Sequence, residues 1–396
     1  MAIDFEIPEH ITQTAQMVKY IAESTMRPFS RELDENEHAR PTAFIEAMWP
    51  LLSGQQKSTL KKMKERAESS GAAVKERVGR GTYLNLMIMV EMLSWGDAGI
   101  YLCLPSPALG GSAIEAVGTN EQKIRLLTRF AEGDQPVWGA MAMTEPGAGS
   151  DALGLQTRAV KKSDKYILNG SKIYITNGTI ADTLVVYART GTAKKEISTF
   201  IVEKGFKGFR VGRKLHKMGM RASPTAELAF EDCEVPAENL IGQENESVSH
   251  MMRNLNIERI TISGISVGIA KACLAYSTKY ASERSQFGKP IGQFQMVQER
   301  LAEMATNTAA ADALLYNSAK AFDAGNREMS LGAKAKLFCA QIATKAGLDA
   351  IQILGGYGYM KEYPVERYMR DAKLMEIGAG TNEVMRLIIA REMMPE

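Results

Sequence analysis

Tyr166-Ile167-Leu168-Asn169-Gly170-Ser171-Lys172-Ile173-Tyr174-Ile175-Thr176 decides the architecture of this chain of 396 residues. β-Branched and aromatic residues fill both halves of the stretch, as a pleated, half-buried backbone requires. Asn169-Gly170 in its middle supplies the positive φ of a tight turn, so the stretch predicts a hairpin of two short strands. Working outward, residues 183–189, 197–203 and 225–230 repeat the same short β-rich texture, which fades near Gly242.

On both sides the period changes. From residue 8 to about 131, apolar residues recur at three- and four-residue spacing, with apolar stretches such as Leu84-Asn85-Leu86-Met87-Ile88-Met89-Val90, so this region reads as packed helices. Residues 248–281, 296–325 and 331–354 again have helical length and spacing, and Gly355-Gly356 stops the last. The expected fold is α+β, mainly α: an N-terminal helical domain (1–135), a central small antiparallel β domain (136–243) and a C-terminal helical bundle (244–396). No low-complexity linker separates them, so they are expected to pack as one body.

Composition narrows the function. A formal charge of +2 with both signs interspersed gives no support for a nucleic-acid partner. No uninterrupted apolar run approaches the roughly 20 residues that span a bilayer, so no membrane association is expected. The start, Met1-Ala2-Ile3-Asp4-Phe5-Glu6, lacks a targeting pattern. Cys103, Cys233, Cys273 and Cys339 are scattered without CxxC spacing, which argues against zinc or disulfides and for a reducing, cytoplasmic setting. His10, His38, His216 and His250 are equally dispersed, so neither a metal centre nor a hydrolytic triad is expected. Residues 53–80 carry Lys57, Lys61, Lys62, Lys64, Arg66, Lys75, Arg77 and Arg80, either a solvated surface helix and loop or a basic rim for phosphates or a partner.

Several short segments carry chemistry. Met141-Ala142-Met143-Thr144-Glu145-Pro146-Gly147-Ala148-Gly149-Ser150-Asp151 offers glycines for close backbone approach to a bulky ligand, beside hydroxyls on Thr144 and Ser150. It has neither the spacing nor the lysine of a phosphate loop, and alone it would read as an ordinary turn. Tyr174-Ile175-Thr176 puts an aromatic on a strand, facing either a core or a flat ligand. Arg284-Ser285-Gln286-Phe287-Gly288 contains a guanidinium fork suited to phosphate oxygens. Glu258, within Asn254-Leu255-Asn256-Ile257-Glu258-Arg259-Ile260, is a carboxylate among apolar neighbours, which is costly unless it is exposed, paired or used.

Together these segments resemble the acyl-CoA dehydrogenase family, in which a carboxylate removes the α-proton of an acyl thioester and a flavin takes hydride from the β-carbon. The resemblance runs from about Gly81 onward and includes Met369-Arg370-Asp371 and Ile377-Gly378-Ala379-Gly380-Thr381. It implies FAD as cofactor. Met141, Met143, Thr144, Gly149, Ser150, Tyr174, Ile175 and Thr176 would contact the flavin ring region. Arg284, Phe287, Gln295, Gln352, Gly355, Gly356, Thr381 and Glu383 would complete the cofactor site across a subunit boundary, hence a homotetramer. Ser150, Asn256, Arg259, Gly378, Ala379 and Gly380 would border the acyl-CoA.

Many members of the family carry the basic glutamate where this chain has Ala379, which cannot accept a proton. The isovaleryl-CoA dehydrogenase branch shares Gly-Ala-Gly-Thr and places its glutamate where this chain has Glu258, so Glu258 is the expected base. The backbone N–H of Ala379 would donate to the thioester carbonyl. Gly378 and Ala379 leave room for a short or branched acyl chain. An electron-transfer flavoprotein is the expected electron acceptor. The alternatives are a non-oxidative or reductive CoA-thioester enzyme on the same fold, or a catalytically silent acyl-CoA-binding flavoprotein. The chain departs from the family before Gly81 and, with tyrosine for the common tryptophan, at Tyr174, and from the isovaleryl branch at Ser249 and Asn256.

Overall fold

The structure is a computed structural model that describes residues 7–37, 39–69 and 81–394. His38 and residues 70–80, with Lys75, Arg77 and Arg80 of the basic segment, lie outside the described residues, and Arg66 is described in its backbone alone. The first region is helical: α1 (Glu9–Ile21), α2 (Ser30–Glu35), α3 (Thr42–Ser69), α4 (Thr82–Tyr101), α5 (Ala108–Val117) and α6 (Asn120–Ala131). The start of α6 is fixed by a capping box in which Thr119 and Gln122 satisfy each other's backbone N–H groups. Lys57, Lys61 and Lys62 are exposed on α3, and Lys64 pairs with Glu132 at 3.2 Å.

The middle region is one sheet in the order β6-β7-β3-β2-β4-β5-β8, with β1 paired to β4. Its strands are β1 (Gly139–Ala142), β2 (Arg158–Lys162), β3 (Lys165–Thr176), β4 (Thr183–Arg189), β5 (Ile197–Glu203), β6 (Phe209–Lys214), β7 (Thr225–Pro236) and β8 (Leu240–Ile241). Pairing is antiparallel except between β1 and β4 and at the single β2–β4 contact. Tyr166, Leu168, Val186, Phe200, Leu228 and Phe230 interdigitate in its core.

The expected turn at Asn169-Gly170 is corrected. Residues 165–176 form one continuous strand, and the register against β7 shifts between Leu168 and Gly170. The dipeptide stays within the strand, opposite a bulge in β7, and does not reverse direction. Asn169 exchanges hydrogen bonds with the backbone N–H and side chain of Asp232, while Gly170 has φ +148° with Thr157 pressed against it. A Cβ there would lie 2.5 Å from Thr157 Oγ1, so glycine serves close strand approach instead of a turn.

The last region contains α7 (Ser247–Glu283), a small hairpin of β9 (Ser285–Gln286) and β10 (Lys289–Pro290), α8 (Gln295–Asp323), α9 (Met329–Leu354), α10 (Val365–Met375) and α11 (Asn382–Met393). α7 and α9 are long and apolar enough to cross a membrane by length and composition, because hydropathy averaged over a helix tolerates interspersed polar residues. In the structure they are core helices of the bundle, with 72% and 56% of those segments buried. The close crossing of α9 and α10 depends on Gly347, where a Cβ would come within 2.8 Å of the Met369 backbone. α7 also crosses α4 closely at Gly268, where a Cβ would meet the Glu91 carbonyl at 2.4 Å. These contacts join the first and last helical regions around α7, and the sheet packs against the face of α7 that carries Met251.

Candidate active site

The predicted site residues gather in two places. The first lies where the N-terminal part of α7 meets the sheet and the loop between α10 and α11. Asn254 and Glu258, four residues apart, share one face of α7. Asn254 Nδ2 donates to Met141 Sδ at 3.0 Å, which ties that face to β1. Arg259, 3% exposed, donates from Nε to the Ala379 carbonyl at 3.3 Å. Glu258 therefore stands beside a residue that reaches the very loop in which the family's usual carboxylate is missing.

Glu258 is half-buried. Desolvation pushes its carboxyl up to about 7, and the Arg259 charge opposes that rise only in part. Tyr187, fully buried on β4, is close enough that the Glu258 charge adds to the effect of burial in raising its phenol. Arg259 Nη1 is buried without an acceptor among the described residues. That leaves a cationic donor available to a ligand, and it fits a site for a negatively charged or polarised group.

The loop has an uncommon backbone. Ala379 has φ +52° and Gly380 has φ +92°. Alanine rarely adopts the left-handed region, so the surrounding structure must hold it there. Arg259 does so from α7. Lys336, wholly buried on α9, does so from the other side, donating to the Gly380 carbonyl at 2.9 Å and to Asn382 Oδ1 at 3.0 Å. Thr381 caps α11 by accepting from Val384 N at 3.3 Å, and Glu383 is exposed in the first turn. A Cβ at Gly378 would contact Ile262 Cδ1 at 3.5 Å, so glycine keeps one wall thin and Ile262 bounds it.

Residues 141–151 form the opposite wall. Met141 and Thr144 are half-buried, Met143 is buried, and Gly149 and Ser150 are exposed. A Cβ at Gly147 or Gly149 would meet no atom within 4 Å. Packing within the chain does not demand glycine there, whereas close approach of a flat ligand would. Tyr174 sits at a second irregularity of β3, with φ +61° and 67% of its surface exposed, so its ring is available for stacking. Ile175 turns into the sheet core, leaving only its backbone for a ligand, and Thr176 is half-buried. Exposed aromatic, hydroxyl groups and open glycines form a donor set that fits a flavin ring.

Two residues that sequence reasoning passed over hold these walls together. Glu145 accepts from Gln156 N at 2.6 Å, Thr157 N at 2.9 Å and Lys172 Nζ at 2.8 Å. Lys172 also donates to the Met143 carbonyl at 2.9 Å. Burial works to raise the Glu145 carboxyl, but the lysine and the two amides outweigh it and hold it below its ordinary range. Burial draws Lys172 down to about 8 even beside this partner. The three converging donors keep Glu145 ionised at neutral pH, and Lys172, protonated there because the pH lies below about 8, completes the pair.

Asn256 departs from expectation. It is 2% exposed and gives its amide to the carbonyls of Arg327 and Glu328 at 3.3 and 3.2 Å, with Gly332 packed over it. Its side chain joins α7 to the start of α9 instead of facing open space. The isovaleryl branch has aspartate at this position; an ionised aspartate could not donate to those carbonyls.

The second gathering lies at the far end of α7. Arg284, Gly355 and Gly356 line a cleft of about 500 Å³ with Tyr280, Leu354 and Tyr357. The Arg284 guanidinium lies 5.5 Å from the Tyr357 ring centre. A Cβ at Gly355 or Gly356 would again meet nothing within 4 Å. Phe287, at the tip of the β9–β10 hairpin, is 93% exposed, and Gln295 and Gln352 are also exposed. Along α7 about 39 Å of helical rise separates Glu258 from Arg284. Within one chain the two gatherings do not meet.

Known proteins match all three regions of the chain. Profiles described as acyl-CoA dehydrogenase N-terminal, middle and C-terminal domains match residues 8–134, 140–233 and 248–394. A short-chain specific acyl-CoA dehydrogenase of Clostridium acetobutylicum is 40% identical over 393 residues, covering 98% of this chain and 99% of that protein. A mitochondrial isovaleryl-CoA dehydrogenase of Oryza sativa is 45% identical over 281 residues, covering 70% and 68%. The structure of butyryl-CoA dehydrogenase from Megasphaera elsdenii superposes with a TM-score of 0.89 at 35% identity, covering 98% of this chain and 99% of that one.

Proposed function

The chain belongs to the acyl-CoA dehydrogenase family, and on that premise we propose that it is an FAD-dependent dehydrogenase converting a short or branched acyl-CoA to the trans-2-enoyl-CoA, with Glu258 as α-proton acceptor. The observation that carries this reading is the half-buried Glu258 beside Arg259, which contacts the loop whose expected carboxylate is replaced by Ala379. A carboxyl near 7 is matched to proton abstraction around neutral pH, ionised often enough to act and basic enough to pull.

The flavin, when bound, supplies a hydride acceptor. Met141, Met143, Thr144 and Ser150 on one wall and Tyr174 with Thr176 on β3 would hold it. Glu258 takes the α-proton; the electron pair of that bond becomes the new double bond as hydride leaves the β-carbon. The Ala379 amide, which donates to no described residue, is available to the thioester oxygen as enolate-like charge develops. Arg259 places a buried positive charge behind that loop. Gly378 and Ala379 make a low wall bounded by Ile262, which favours short or branched acyl groups.

Arg284, Gly355 and Gly356 would meet the phosphate and adenosine end of the cofactor bound to a second copy, so the working unit is an oligomer, a homotetramer by family resemblance. Electrons would pass to an electron-transfer flavoprotein, in a cytoplasmic setting. The purified yellow protein should be mixed anaerobically with straight, branched and cyclic acyl-CoAs while the flavin spectrum is followed. Rapid bleaching by one class is expected, and Glu258→Gln should keep the flavin yet stop bleaching. Full retention of turnover in Glu258→Gln would remove the base assignment; no bleaching of the parent by any thioester would remove the dehydrogenase reading.

A further inference from the structure

Lys336 is the only lysine in α9 with no exposed surface, and a buried ammonium needs partners that repay its desolvation. Both partners belong to one short segment: the Gly380 carbonyl and Asn382 Oδ1. Arg259 reaches the preceding carbonyl, that of Ala379, from a different helix. Two cations on α7 and α9 thus grip two successive carbonyls of the 378–381 loop.

A planar trans peptide points its N–H opposite to its C=O. Fixing the Ala379 carbonyl therefore fixes the Gly380 N–H, and fixing the Gly380 carbonyl fixes the Thr381 N–H. The amides of Ala379, Gly380 and Thr381 donate to no described residue. With the 379–380 and 380–381 planes held, the C-terminal flank of Ala379, a residue at φ +52°, is anchored.

We propose that Lys336 is a positioning residue for the thioester-binding loop: with Arg259 it locks the carbonyls of residues 379 and 380 and so anchors the C-terminal flank of Ala379, whose amide polarises the substrate carbonyl. This rests on the proposed function above, because that reading assigns the Ala379 amide to the thioester oxygen. Lys336 touches neither the acyl group nor the proton; it acts through the backbone. Desolvation brings its ammonium down to about 8, opposed by Glu376 and Glu383 and assisted by Arg259. The grip remains largely charged at neutral pH.

The test is the vibrational frequency of a 13C-labelled thioester carbonyl in an enoyl-CoA bound to the flavin-loaded protein, read by isotope-edited infrared spectroscopy. The parent should show a frequency lowered from that of the free ligand. Lys336→Met should return it at least halfway, and kcat should fall about 10- to 100-fold with KM nearly unchanged. That is less than the roughly 10²–10³ lost when an oxyanion donor is removed outright, because the amides remain present but unfixed. Lys336→Gln keeps a neutral donor for one carbonyl and should fall between the two.

An unchanged carbonyl frequency in a folded, flavin-bearing Lys336→Met would refute the grip while leaving the dehydrogenase reading intact. A parent that leaves the carbonyl at its free frequency would overturn the loop as donor, and the proposal with it. Failure of both variants to fold would make Lys336 a determinant of folding alone and also overturn the proposal.

Discussion

Replacing Lys172 by methionine tests whether Glu145 is the pin of the 141–151 wall. The substitution keeps length and apolar stem but removes the ammonium, and with it the 2.8 Å bond to Glu145 Oε1 and the 2.9 Å bond to the Met143 carbonyl. Glu145, 6% exposed, would remain buried with only the Gln156 and Thr157 amides. Stripping one partner from a buried pair costs about 3–5 kcal/mol. The two surviving amides put the expected loss near the low end, about 3 kcal/mol at pH 7.

The sign of the pH dependence follows from Glu145. Its folded carboxyl lies below the ordinary value of 4.5, so its contribution to stability is present above that value and lost as pH falls through the folded one. Without Lys172, burial is less opposed and the carboxyl rises. The variant then protonates Glu145 at higher pH, and its deficit against the parent narrows on going from pH 7 toward pH 4.5. Urea unfolding at several pH values measures the deficit, and hydrogen exchange at the Gln156 and Thr157 amides locates it. A loss under about 1 kcal/mol at pH 7, far below the range for breaking a buried pair, would refute the assignment of Glu145 as a buried pin. So would a deficit that stays constant down to acid pH.

Three further outcomes follow from groups already described. Turnover should depend on a group ionising at about 7, falling tenfold per pH unit below it as Glu258 takes up a proton; a profile flat from pH 5 to 8 would contradict this. Because the folded carboxyl lies above 4.5, the unfolded chain ionises first and stability declines between about 4.5 and 7. Glu258→Gln should therefore melt above the parent at pH 8 and alongside it near pH 4, a difference that calorimetry reads directly. Gly347→Ala would put a Cβ 2.8 Å from the Met369 backbone, which has no flexible end to swing away. Separation of α9 from α10 should cost about 1–3 kcal/mol, and an unchanged denaturation midpoint would contradict the packing argument.

The helical regions and the β region between them were legible because their periods differ. Gly355 was read correctly as the stop of a long helix, where it takes φ +61°. Asn169-Gly170 misled because its local chemistry suits both a turn and a close strand crossing opposite a bulge; only β7, contributed from far along the chain, decides between them. Glu258 stood out as a carboxylate in an apolar helix. The same argument applied to Lys336 among the small residues of α9 and to Lys172 on β3, yet neither was singled out. Their partners are backbone carbonyls and a distant glutamate, which no spacing rule displays. Asn256 failed for the same reason, since the carbonyls of Arg327 and Glu328 approach only after α9 folds back along α7.

The length of α7 has a thermodynamic consequence. Its 37 residues give about 55 Å of rise, more than a small domain is wide, with the proton-accepting end and the guanidinium end far apart on one rod. On the two-copy arrangement proposed above, each bound cofactor is shared between two chains. Chain association and cofactor retention then become coupled equilibria: dilution that separates the copies loosens the flavin, and excess flavin holds the copies together. Colour lost on dilution and restored by added FAD would be one reading of that coupling, and an apparent melting temperature that climbs with protein concentration would be the other.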